Sequence, residues 1–311
     1  MHEFCNAEYF ESDILRAEDE KISKYSEMLN NERYFLNGLI RYLKPKKMLE
    51  VGVAGGGSSA IMLNATRDID DSILFSVDYL DKYWIDSNKK TGFVITDYFP
   101  EFADRYKLYT GGDVSKHIEK VGNGVELTLL DTTHMHPTET LNFLCILPFL
   151  NTNSWVVLHD ISLHFFNEKS LACKYLYGHV VSENKISPTS DFSHSFSNIG
   201  TFQVTDLTHQ CIENVFMSLT IPWIGWDDNW ILSDDFHDID IIIKKYYDSS
   251  LYKIFKDSVC FQSKMQEQWK KVPNSEKIER ALYVINPKLC LKIKKSIQRN
   301  ERIKNMILRY L

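Results

Sequence analysis

At 311 residues the chain can hold one large domain, or one domain with an appendage, and can bury a sizeable core. With 44% apolar and 25% charged residues it has the composition of an ordinary globular protein, not of a disordered or fibrous one. A net charge of -6 argues against a general nucleic-acid binder, which needs a strongly basic face.

The six cysteines (Cys5, Cys145, Cys173, Cys211, Cys260, Cys290) stand far apart with no C-x-x-C pair, which points to reduced thiols. Met1-His2-Glu3-Phe4 opens no secretory leader, and no run approaches the roughly 20 apolar residues of a membrane span. The expectation is a cytoplasmic protein.

In chain order, residues 18–43 read as helical, with Ile22, Tyr25, Met28, Leu36, Leu39, Ile40 and Leu43 on the apolar positions and Pro45 as the stop. Candidate strands follow at 48–53, 73–78, 106–109, 127–131 and 155–160. Between them, 58–65, 82–104, 114–121 and 137–150 offer crossover helices. Strands that are apolar throughout, separated by helices, predict an α/β fold with a doubly wound, mostly parallel sheet. Residues 200–205 read as a late strand of the same sheet. A boundary is expected near Thr208, dividing a 1–207 domain from a 208–311 extension rich in aromatics. A basic amphipathic helix over 287–311 carries Ile293, Ile297, Ile303 and Ile307 on one stripe. It reads as a solvated face, with binding of a phosphorylated or nucleotide-linked acceptor as the alternative.

Three candidate strands close on an acid: Asp78, Asp131 and Asp160. In an open parallel sheet the ligand crevice lies outside the carboxyl ends, so these acids should converge. The strand ending at Val53 runs through Ala54-Gly55-Gly56-Gly57 into a helix beginning near Ser58. Small residues there admit a ligand close to the backbone, and the helix start presents free N–H groups. Asp78, at the end of the second strand, is placed to accept from ribose hydroxyls. The dinucleotide pattern G-x-G-x-x-G lacks its middle glycine here, since Ala54 stands there. That disfavours a pyrophosphate cofactor and leaves an NAD-dependent dehydrogenase as the weaker enzyme reading.

The run Leu49-Glu50-Val51-Gly52-Val53-Ala54-Gly55-Gly56-Gly57-Ser58 resembles motif I of class I S-adenosylmethionine-dependent methyltransferases. Leu130-Asp131-Thr132-Thr133-His134 is similar to the Asp-x-x-His fourth-strand motif of a subgroup of small-molecule and sugar O-methyltransferases. Leu147-Pro148-Phe149-Leu150, followed by Trp155-Val156-Val157-Leu158-His159-Asp160, resembles that subgroup's fifth-strand ending. The likeness spans about residues 39–205. It implies a Rossmann-like fold and a cofactor site of Glu50, Gly52, Ala54, Gly55, Gly56, Ser58, Asp78 and Asp113. Glu50, Gly52 and Gly56 would shape the methionine side, Asp78 would hold the ribose and Asp113 would face the adenine. Asp113 reads equally as a helix N-cap, and both can hold together.

Methyl transfer to oxygen requires the acceptor hydroxyl to be positioned and deprotonated. His134 is the candidate base, with Asp131 as its catalytic companion. Metal-dependent relatives imply ligands at Asp131, His159 and Asp160 for a divalent cation such as magnesium, although a histidine at position 159 departs from the oxygen-rich set that ion prefers. His136 and His164 are weaker candidates. The tryptophan-rich run 222–230 is either core, an oligomer contact in a homo-oligomer, or a grip for a ring substrate. The partner expected is a small polar acceptor, such as a sugar of a surface glycan, a nucleotide-linked sugar or a secondary metabolite. A methyltransferase-like scaffold without catalysis is the non-enzyme alternative.

Overall fold

The structure, a computed structural model, describes residues 20–167, 169–188, 198–223, 233–274 and 276–277. Helix α1 (Asn30–Leu43) leads into β1 (Lys47–Val51), α2 (Gly57–Ala65), β2 (Ile73–Asp78), α3 (Phe93–Tyr98) and β3 (Tyr106–Thr110). Then come α4 (Val114–Val121), β4 (Val125–Leu130), α5 (Thr138–Ile146), β5 (Leu150–His159) and α6 (Ala172–His179). The chain continues through β6 (Lys185–Ile186), β7 (Ile199–Gln203), α7 (Asp206–Gln210), α8 (Ile212–Ser218), α9 (Asp234–Tyr246) and α10 (Ser249–Lys271).

The strands form one seven-stranded sheet in the order β3-β2-β1-β4-β5-β7-β6. The first five are parallel, and β7 runs antiparallel to both β5 and β6. Chain order reverses between β1 and β4, which makes their carboxyl ends the switch point where such sheets bind ligands. The expected parallel sheet is therefore present, and the late strand closes it as an antiparallel edge.

Alternation along each strand sends neighbours to opposite faces, and both faces are covered. Leu49, Val51, Leu130, Val156 and Leu158 join a core with Ile118 of α4, Leu144 of α5 and Phe236 of α9. Met48, Leu127, Leu129 and Val157 join the other, with Phe35 and Leu39 of α1 and Ile61 of α2. Helix α2 is buried along almost its whole length, which explains why it is apolar all round and not striped.

Three expectations are modified. The helix over 18–43 is interrupted: residues 20–23 are helical, 24–29 are irregular, and α1 starts at Asn30. Its start is fixed where the Leu29 N–H donates to Glu32 Oε2 at 2.6 Å. The 82–104 crossover contains only α3 and a 3₁₀ turn over Pro100–Arg105, because a local bridge between Lys82 and Lys90 takes up its first part. The boundary expected near Thr208 falls inside a compact unit that runs to Val259, since α8 and α9 contribute Phe216, Ile239 and Ile243 to the sheet's core. A second unit starts at Cys260, and its described residues are the end of α10 and the few beyond. Among the described residues, no helix is long and apolar enough to cross a membrane.

Candidate active site

The turn between β1 and α2 is built from contacts that exclude side chains. Gly52 has φ +91°, and a Cβ on it would stand 1.7 Å from the Asp131 carbonyl oxygen. At Gly57 a Cβ would fall 2.7 Å from the Tyr25 carbonyl oxygen and 2.8 Å from Ser26 Cα. Gly56, at φ +95°, packs against Gly92. Ala54 also lies in the left-handed region, at φ 49°. The strain is held by Asp78: its Oδ2 accepts from the Val53 and Ala54 N–H groups at 2.8 and 2.9 Å. Oδ1 accepts from the Leu80 N–H at 2.8 Å.

Outside this turn lies a cavity of about 560 Å³, at the carboxyl ends of β1, β2 and β4. Gly52, Ala54, Ser58, Asp78, Asp113, Asp131 and His134 stand on its wall. Glu50, Gly55 and Gly56, named with them from the sequence, lie behind that wall. Gly55 and Gly56 are small to admit protein, namely Tyr25, Phe93 and Gly92.

Glu50 is fully buried on the α2 face of β1 and accepts from the hydroxyls of Ser58, Ser59 and Ser76 at 2.5, 2.5 and 2.6 Å. It ties the first turn of α2 to β1 and β2. Burial pushes its carboxyl up to about 7, against the pull of the three hydroxyls. The folded form therefore holds the proton more tightly than the unfolded chain. Glu50's contribution is greatest below about pH 4.5 and is lost as pH rises through about 7. Glu50→Gln should flatten the fall in stability between those values, as read from thermal midpoints across pH.

Asp113 is the N-cap of α4 and also stands at the cavity. Its Oδ1 accepts from the Ser115 N–H at 3.1 Å. Enclosure raises its carboxyl to about 6.

At the other end of the cavity, Asp131, His134 and Asp160 come together, with one potential ligand atom from each all within 4.8 Å of one another. His134 Nε2 lies 3.0 Å from Asp160 Oδ2 and 3.8 Å from Asp131 Oδ1. Asp160 is held low: burial alone would raise it, but the His159 hydrogen bond and charge, with His134 and Asn198, outweigh that. His134 has φ +61°, a conformation fixed by the buried Glu139, whose Oε1 accepts from the His134 N–H at 2.8 Å and from Thr132 Oγ1 at 2.9 Å. The same oxygen is 3.6 Å from His134 Nδ1. This directs Nε2 to the side of the two aspartates.

His159, expected with the metal ligands, is buried behind this cluster. Its Nδ1 is 3.1 Å from Asp131 Oδ1 and its Nε2 is 3.1 Å from Glu32 Oε2. Burial alone would lower its pKa, but Asp131, Asp160 and Glu32 together raise it well above the usual histidine value. Both ring nitrogens are thus engaged by protein, and it is His134 that stands with Asp131 and Asp160. His136 is buried edge-on to Tyr175, its pKa lowered to about 4 by burial. His164 meets Lys174 at 3.1 Å and lies off the cavity.

Glu27, Trp84, Glu32 and Glu139 escaped the sequence reading. Glu27 and Trp84 meet at the cavity, where the indole N–H donates to Glu27 Oε1 at 3.0 Å. Partial enclosure raises the Glu27 carboxyl, and the charge of Asp131 adds to it. Of these four, only Glu139 was signalled locally, five residues beyond His134 in the first turn of α5. Trp223 packs against the core near Phe236, whereas 224–230 and the basic helix over 287–311 lie outside the described residues.

The strand order, the glycine turn pinned by the acid of β2 and the cavity at the switch point define a doubly wound α/β domain with an open crevice at the carboxyl ends of its strands. Residues 49–161 match the family described as "Methyltransferase domain". Loosely similar solved structures include the O-methyltransferase TomG from Streptomyces achromogenes, involved in tomaymycin synthesis and solved with S-adenosylmethionine. It is 14% identical, over 63% of this chain and 91% of that one, with a TM-score of 0.45. The S-adenosylhomocysteine-bound methyltransferase PaMTH1 from Podospora anserina is 16% identical over 63% and 89%, at 0.47. The MycE methyltransferase of mycinamycin biosynthesis, solved with magnesium, S-adenosylhomocysteine and mycinamycin VI, is 13% identical over 63% and 55%, at 0.41. No curated protein matches the sequence.

Proposed function

We propose that the cavity binds S-adenosylmethionine and methylates a hydroxyl of a small polar acceptor, with His134 as the general base. The observation that carries this is the strained turn at Gly52 and Ala54, pinned by Asp78 and open to a cavity that also reaches His134. The residues present fit the cofactor: Ala54 and Ser58 bring backbone and a helix start to the wall, while Asp78 and Asp113 offer carboxylates for ribose and adenine. When bound, the cofactor supplies a methyl group activated on a sulfonium. The chain's part is to orient the acceptor and take its proton at His134 Nε2, with Asp160 beside that nitrogen to stabilise the imidazolium formed.

Among the described residues the wall carries one lysine, Lys82, against the carboxylates of Glu27, Asp78, Asp113, Asp131 and Asp235. That balance supports an uncharged hydroxyl-bearing acceptor, such as a sugar, over a nucleotide-linked one. Trp84, beside Glu27, and Tyr79, beside Asp235, are exposed at the cavity and offer ring faces for such a ring.

The test begins with calorimetry, in which S-adenosylhomocysteine should bind saturably. His134→Gln should leave that affinity intact and lower methyl transfer by about 10²- to 10⁴-fold, the range for loss of a general base. Absence of S-adenosylhomocysteine binding would overturn the reading. The clustering of Asp131, His134 and Asp160 favours a second reading, a divalent cation held by these residues that activates the hydroxyl. Transfer insensitive to a chelator supports the base, and transfer abolished by it and restored by manganese or magnesium supports the cation.

A further inference from the structure

The geometry points to Glu32, on the N-terminal helix α1, as a positioning residue that fixes the Asp131 carboxylate through His159. This rests on reading the cavity as the methyl-transfer site.

Strands β4 and β5 are paired with Leu130 opposite Leu158, so Asp131 and His159 follow side by side at the sheet's edge. Val157 faces the core beneath α1 and Leu158 faces the opposite one, so alternation turns His159 toward α1. There the imidazole spans two carboxylates, with Glu32 Oε2 at 3.1 Å from Nε2 and Asp131 Oδ1 at 3.1 Å from Nδ1. Glu32 is 1% exposed and His159 3%.

Capping α1 does not account for this arrangement. A glutamate in the first turn of a helix caps equally well from the surface. Burying a carboxylate is costly unless it is paired, and Glu32 Oε1 has no partner among the described residues. What the buried carboxylate adds is a second anchor for the ring. An imidazole held at both nitrogens cannot turn about its χ2 axis, so its Nδ1–H stays on Asp131 Oδ1. Asp131 Oδ2 accepts no hydrogen bond among the described residues, and Asp131 stands on the cavity wall beside Gly52. The relay therefore sets where the negative charge of Asp131 is presented. Outer partners of this kind orient functional ligands without touching the ligand themselves.

The experiment compares two cofactor analogues by calorimetry on the full chain. S-Adenosylhomocysteine has no group at the methyl position, whereas sinefungin carries a protonated amine there and reads the charge facing it. Glu32→Gln removes the anchor. His159→Asn keeps a donor near the Nδ1 position but cuts the link to Glu32. In both variants S-adenosylhomocysteine should bind within about twofold of the unsubstituted protein, while sinefungin weakens on the order of tenfold. An unchanged ratio of the two affinities in both variants would overturn the proposal while leaving the methyltransferase reading intact. Equal weakening of both analogues would overturn it too, because it marks general damage to the fold. Should Glu32→Gln fail to fold, His159→Asn decides alone. Failure of the unsubstituted protein to bind S-adenosylhomocysteine overturns both readings.

Discussion

Replacing Gly52 with alanine should destabilise the protein by at least about 3 kcal/mol and abolish S-adenosylhomocysteine binding. Two costs combine at this position. At φ +91° any L side chain is strained, and the Cβ would sit 1.7 Å from the Asp131 carbonyl oxygen. That oxygen belongs to backbone at the end of β4, which pairs with β1 and is itself tied by Asp131 N–H to Val51 O at 2.9 Å. Relief therefore requires β1 and β4 to separate where the cavity opens between them. The comparison is Gly178→Ala, in α6, where a Cβ would meet nothing within 4 Å. That substitution should be neutral or stabilising by up to about 1 kcal/mol, as expected for glycine to alanine within a helix. Thermal and chemical denaturation of the pair, with calorimetry on whatever folds, checks both. A Gly52→Ala protein with unchanged stability would show that the turn is not packed as described.

Loss of the Asp78 carboxylate carries the second large effect. Both of its oxygens accept backbone N–H groups, from Val53, Ala54 and Leu80. Hydrogen bonds to a charged acceptor contribute about 1.5–3 kcal/mol each, and donors left facing nothing add a penalty of their own. Asp78→Asn should be nearly as harmful as Asp78→Ala, because one of its two positions becomes an NH₂ group set against N–H donors. Affinity for S-adenosylhomocysteine should fall by about 10²- to 10³-fold in either variant. The folded core should survive, since the donors lie at the cavity and not within it. Calorimetry together with circular dichroism separates the two effects. Full affinity in Asp78→Asn would mean that neither the ribose nor the turn depends on this carboxylate.

Much of this site was legible because it is local. The strand from Leu49 to Val51, the small residues after it and the acid at Asp78 sit within 30 positions, and each type answers to a backbone requirement of the turn. The meeting of Asp78, Asp131 and Asp160 at one edge followed from parallel strands ending alike. Which small residue faces what leaves no mark in the sequence. Gly55 and Gly56 carry the same appearance as Gly52, yet they serve contacts with Phe93 and Gly92 that lie well down the chain. His159 and His134 were similarly indistinguishable by type. Only their orientation, set by strand alternation for one and by Glu139 for the other, separates a buried bridge from a residue on the cavity wall.

The glycine-rich run, the acids at strand ends and the alternation of apolar strands with helices were sufficient by themselves to specify the sheet and the edge at which its cavity opens. These depend on repeating local patterns, which a linear chain displays. The pairing of Glu32 with His159 spans 127 positions, and the meeting of Glu27 with Trp84 spans 57. Neither leaves a periodicity or motif, because each exists only where the N-terminal segment folds back across the sheet's carboxyl edge. Tertiary structure alone decided these contacts, and with them that Glu27 stands on the cavity wall while Glu32 is buried behind it.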